Sequence, residues 1–94
     1  MKTTEMTKLA LLLDDAKIPY EVVSCWGTPQ ICYPTSKERI CDAVCHKWSY
    51  GNEEGLLEIM GLVDEDEVGD TVQGYMTAEQ VFVKIATHFI NELV

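Results

Sequence analysis

Residues 20–45 read YEVVSCWGTPQICYPTSKERICDAVC, and the periodicity of this stretch decides the fold. Tyr20 to Trp26 is rich in valine and aromatic side chains, the composition of a strand. Gly27-Thr28-Pro29 turns the chain, and Gln30 to Tyr33 returns as a short second strand. Pro34-Thr35-Ser36 is a further break, after which Ile40 to Cys45 forms a third. Downstream, Leu56 to Leu62 supplies a fourth. The connections are mostly too short for parallel crossovers, and sequential strands usually neighbour one another, so these strands form an antiparallel meander.

Helical patterns flank the meander. Upstream, Thr4 or Thr3 can cap a helix whose Met6, Leu9, Ala10, Leu13 and Ala16 share one face, and Pro19 stops it. Downstream, Thr77-Ala78-Glu79-Gln80 is a capping box, and Met76 and Val81 have the spacing of a hydrophobic staple. Val81, Phe82, Ile85, Phe89 and Leu93 recur at helical intervals, predicting an amphipathic helix over 78–93. The fold expected for residues 1–94 is a single α+β domain. It comprises a four-stranded antiparallel meander with the N-terminal and C-terminal helices packed on one face.

The third strand also assigns the faces. Cys41, Ala43 and Cys45 make a small apolar side suited to helix cover, while Ile40, Asp42, Val44 and His46 point the other way. The first strand splits into Tyr20, Val22 and Trp26 against Val23 and Cys25. A half-solvated sheet normally alternates more cleanly. Self-association of the chain through the open sheet face is therefore expected.

The chain of 94 residues is 47% hydrophobic and 24% charged, the balance of an ordinary globular domain. No apolar run approaches the roughly 18 residues of a membrane span. The start, Met1-Lys2-Thr3-Thr4-Glu5, lacks the basic and apolar regions of a signal peptide, so a cytoplasmic location is expected. Sixteen acidic against seven basic residues give a net charge of −9, which disfavours direct nucleic-acid binding. The acidity serves solubility, or it lets the protein occupy a basic groove on another protein.

Four cysteines, Cys25, Cys32, Cys41 and Cys45, raise disulfide and metal readings. A reducing compartment argues against the first. A zinc site on Cys41, Cys45 and His46 fails on reach, because strand positions four apart are roughly 13 Å from one another at about 3.3 Å per residue. Cys45 and His46 point to opposite faces, so they do not form a nucleophile–base pair. Buried structural thiols are expected instead. The acidic run Asp64-Glu65-Asp66-Glu67 with Asp70 does not form a calcium loop, since Val68 and Tyr75 fall where ligands are required. Glu58, flanked by Leu57 and Ile59, reads as a strand glutamate facing solvent. No catalytic group, metal or cofactor is expected, and the chain does not read as an enzyme.

What remains is the segment His46-Lys47-Trp48-Ser49-Tyr50-Gly51-Asn52-Glu53-Glu54-Gly55. Exposed tryptophan and tyrosine on a loop stack on planar bases or anchor protein interfaces. Turned inward, the same rings would plug the end of the sheet. The glycines allow tight turns or close backbone approach to a ligand, without the spacing of a phosphate loop.

Three further segments carry a resemblance: Ile18 to Val23, Tyr50 to Gly61 and Gly74 to Phe82. Through them the chain resembles small proteins of unknown function from phages and prophages of Gram-positive bacteria. That resemblance implies a non-catalytic, counter-defence accessory protein, of the kind that sequesters a nucleotide-type immune signal. On this reading Trp48 and Tyr50 stack on the base, His46 and Lys47 meet phosphates, and Gly51 and Asn52 supply backbone and amide contacts. The net charge opposes it unless Lys47, with Arg39 or Lys37, makes the pocket locally basic. The alternative is an acidic inhibitor that occupies a host effector or nuclease through protein contacts.

Overall fold

A computed structural model of the chain describes residues 3–63 and 72–93. The acidic run Asp64 to Glu67 and Asp70 lies outside them. Helix α1 (Glu5–Asp15) begins where Thr4 accepts the Thr7 amide at 3.1 Å. Strands β1 (Glu21–Cys25), β2 (Thr28–Pro34), β3 (Arg39–Val44), β4 (Leu57–Met60) and β5 (Val72–Met76) follow, and helix α2 (Ala78–Leu93) closes the chain. The strands pair antiparallel in the order β1-β2-β3-β4-β5.

Among the described residues the sheet therefore has five strands, not four. The extra one, β5, contains Gly74 at its centre and shows no clean alternation of apolar and polar side chains, so no strand pattern announced it. The first hairpin also differs from expectation. Trp26 and Gly27 alone form the turn, at φ of 54° and 77°, and Cys25 faces Thr28 directly. Positive φ at both central residues is the two-residue turn that matches strand twist. Pro29 consequently joins β2, opposite Ser24.

Register explains the core. Ile31, Ala43 and Ile59 stand in one cross-strand row, and Tyr33 pairs with Cys41. All five are buried on the same face, against Leu9 and Leu13 of α1 and Val81 and Ile85 of α2. Burial pushes the Cys41 thiol up to about 12, the behaviour of an inert core cysteine. Cys32 is buried as well, whereas Cys25 and Cys45 are half-buried, and all four are free thiols. Polar links help tie the layers together: Tyr20 donates to Asp14 at 2.8 Å, and the Tyr33 hydroxyl meets His88 Nδ1 at 2.8 Å. The opposite face carries Met60 and Ile40, both exposed. At its centre, Cys32, Asp42 and Val44 are already covered within one chain.

The helices start at the same end of the sheet, and one carboxylate joins them. Glu5 Oε1 accepts the Ala78 amide at 2.8 Å while Oε2 meets Lys8 Nζ at 3.0 Å. An acid at a helix N-terminus also complements the helix dipole. The Ala78 bond, and then Lys8, hold the Glu5 carboxyl below its ordinary range. A lowered folded-state pKa gives stability that is present above the unfolded value and disappears as pH falls through the folded one. Glu5→Ala will therefore lose about 1–2 kcal/mol at pH 7. Its deficit against wild type will shrink to nothing as pH drops well below about 4. Urea denaturation of both proteins across this range checks the prediction; a deficit that persists in acid would refute it.

Candidate functional site

Beyond Val44, a chain of short-range bonds rather than apolar packing shapes the segment from His46 to Gly55. Ser49, 6% exposed, is its hub. Its hydroxyl donates to the His46 carbonyl at 2.7 Å and accepts the His46 amide at 2.9 Å. The Ser49 amide bonds the same carbonyl. A single turn of 3₁₀ helix, Asn52–Glu54, follows between Gly51 and Gly55, at φ of 97° and 71°. Leu56 then bonds back to the Gly51 carbonyl at 2.9 Å.

Two distant residues fix this loop to the sheet. Glu58 Oε2 accepts the Tyr50 amide at 2.8 Å, and the Tyr50 carbonyl accepts the Tyr75 amide of β5 at 3.2 Å. Both backbone groups of Tyr50 are thus used. The loop also lies directly on Gly74, where an added Cβ would fall 2.3 Å from the Tyr50 Cβ. The sequence reading missed Glu58, Gly74 and Tyr75 as parts of this site. Glu58 alone carried a signal, as a carboxylate inside an apolar strand, and it proves to be spent on the loop backbone.

The anchoring decides where the aromatic rings go. Trp48 and Tyr50 are 66% and 61% exposed, and Tyr75 beside them is 55% exposed. They do not plug the sheet end. Lys47 Nζ stands 5.0 Å from the Trp48 ring centroid, within cation–π range. His46 is half-buried, and its Nδ1 accepts the Trp48 amide at 3.1 Å. Gly51 is buried against the Tyr75 backbone, so its close approach is to β5. Asn52 is half-buried, with its side-chain oxygen 3.8 Å from the Cys45 sulfur. Of the six expected contact residues, Lys47, Trp48 and Tyr50 are presented outward. His46, Gly51 and Asn52 hold the loop together.

On the other side of the loop, a broad groove of about 920 Å³ lies against the first turns of both helices. Met6, Pro29 and Leu56 give it an apolar floor, while Glu5, Glu54 and Glu79 outnumber Lys8 at its sides. Trp48 and Tyr50 do not line it. Among the described residues no three side chains cluster as metal ligands, and no helix is long and apolar enough to cross a membrane. No protein-family model, curated protein or solved structure matches this chain.

Proposed function

We propose that this chain is a non-enzymatic binding protein that recognises a protein partner through the outward face of the His46–Asn52 loop. The observation that carries this reading is the exposure of Trp48 and Tyr50 on a backbone held at both ends by hydrogen bonds. Rigid aromatic side chains at the centre of a contact lose little entropy on binding and dominate interface energetics. Tyr75 extends the patch to three rings. A net charge of −9 steers such a surface toward a basic partner. The resemblance to phage accessory proteins supplies a setting, in which the partner is a host defence effector or nuclease.

Sequestration of a nucleotide is the competing reading, and the loop geometry argues against it. Small-molecule sites are concave, whereas these rings stand on a projecting loop away from the groove. His46 Nδ1 is engaged by the Trp48 amide, and the groove itself is acidic. The test compares wild type with Trp48→Ala and Tyr50→Ala. Captured from lysate of a Gram-positive host, one basic partner should bind wild type and bind each variant at least ~30-fold more weakly, the scale of an interface hot spot. Both variants should melt near wild type, because the lost rings are exposed. Cyclic dinucleotides and cyclic ADP-ribose isomers should leave the melting temperature unchanged. A nucleotide-induced rise that Trp48→Ala abolishes would transfer the assignment to sequestration.

A further inference from the structure

The two edges of the sheet are built differently. At β5 the register with β4 shifts between Leu57 and Ile59, and Tyr75 sits at φ 57°. The Tyr75 amide is also taken by the loop carbonyl of Tyr50. Irregularity and cover of this kind stop another chain from adding to a sheet. At β1 none of these devices is present among the described residues. Its five residues pair with β2 in unbroken register, and among the described residues β2 is its only neighbour in the sheet. The segment Glu21-Val22-Val23-Ser24-Cys25 contains no lysine, no proline and no bulge. Its single charge is turned aside, since Glu21 Oε1 accepts the Ser36 amide at 2.7 Å.

We propose that β1 pairs antiparallel with β1 of a second copy about a two-fold axis at Val23, extending the sheet to ten strands. The sequence of the strand is complementary to itself in that register. Val23 meets Val23, Val22 meets Ser24, and Glu21 meets Cys25, so the two Glu21 carboxylates do not face each other. Beyond the strand ends, Trp26, 72% exposed at the hairpin turn, comes alongside Tyr20 of the second copy. Val22 pairs with Ile31 and so lies on the helix-covered face, yet it is 56% exposed. In the ten-stranded sheet the helices of both copies share one face, and the two Val22 side chains fill the seam between them. Such isologous pairing is the commonest symmetry of protein dimers. It leaves the Trp48–Tyr50–Tyr75 surface, four strands away at the opposite edge, free on each copy.

The experiment has three arms. Sedimentation equilibrium of wild type at tens of micromolar should give twice the 10.6 kDa of the chain. Val22→Lys places a gatekeeper on an already exposed position, so it should weaken the dimer at least tenfold while circular dichroism stays that of wild type. Val23→Cys in a Cys25→Ser background should form an intermolecular disulfide on mild oxidation, because directly opposed Cβ atoms lie about 4.5–5.5 Å apart. The Cys25→Ser parent should not. A monomer throughout this range would overturn the proposal. So would a dimer that neither responds to Val22→Lys nor crosslinks through residue 23.

Discussion

Gly74→Ala will destabilise the protein by about 3 kcal/mol, because overpacking against atoms that cannot move aside costs roughly 1–3 kcal/mol or more. The new methyl would stand 2.3 Å from the Tyr50 Cβ and 2.8 Å from the Tyr50 carbonyl oxygen. Neither atom is the free end of a flexible side chain. The loop must lift away from β5, and the bond between the Tyr75 amide and the Tyr50 carbonyl will lengthen or break. Gly55→Ala provides the matched control. Gly55 has φ 71°, but nothing lies within 4 Å of its added Cβ. It will lose about 1–2 kcal/mol from left-handed strain alone. The two substitutions therefore separate want of space from want of conformational freedom. Urea denaturation should rank them in this order, and amide exchange at Tyr75 should accelerate only in Gly74→Ala. Partner capture should fail for Gly74→Ala, even at temperatures where it remains folded, and survive in Gly55→Ala. A Gly74→Ala protein within about 0.5 kcal/mol of wild type, the range of neutral surface changes, would remove this account of how the loop is held.

This dependence explains which parts of the site the sequence made legible. The capping box before α2 is local, and the structure reproduces it in both directions, Thr77 amide to Gln80 at 2.8 Å and Gln80 amide to Thr77 at 3.2 Å. Its staple residues, Met76 and Val81, are both buried. Helical periodicity likewise placed α2, and the small apolar side of β3, Cys41 and Ala43, does lie under the helices. These features rest on residues a few positions apart. The direction of Trp48 and Tyr50 does not. It depends on Glu58, eight positions on from Tyr50, and on Gly74, twenty-four positions on, through contacts that exist only once β5 is beside β4. A glycine selected for lack of volume looks in sequence like one selected for flexibility, and so Gly74 obscured both the fifth strand and the seat of the loop. The first turn was misplaced for a related reason. A proline one position inside a strand imitates a turn residue, while tryptophan at positive φ is a conformation that few side chains accept.

Consecutive residues of β4 will respond to truncation in opposite ways. Ile59 is fully buried in the core that the sheet shares with the helices, whereas Met60, its neighbour, is 53% exposed on the uncovered face. Ile59→Ala removes three carbons from a packed core and leaves a cavity, an expected loss of about 3–4 kcal/mol. That is a large part of the roughly 5–10 kcal/mol available to a domain of this size, so the variant will be only marginally folded. Met60→Ala should shift the urea midpoint by less than about 0.5 kcal/mol. Measured across protein concentration, the pair also distinguishes two modes of self-association. Pairing at the β1 edge leaves Met60 exposed in monomer and dimer alike, so Met60→Ala remains silent at every concentration. A dimer packed through the open sheet face would bury Met60. Its truncation would then become costly as concentration rises, since association stabilises the folded state by mass action. Concentration-dependent destabilisation of Met60→Ala would place the second copy on the sheet face rather than at its edge.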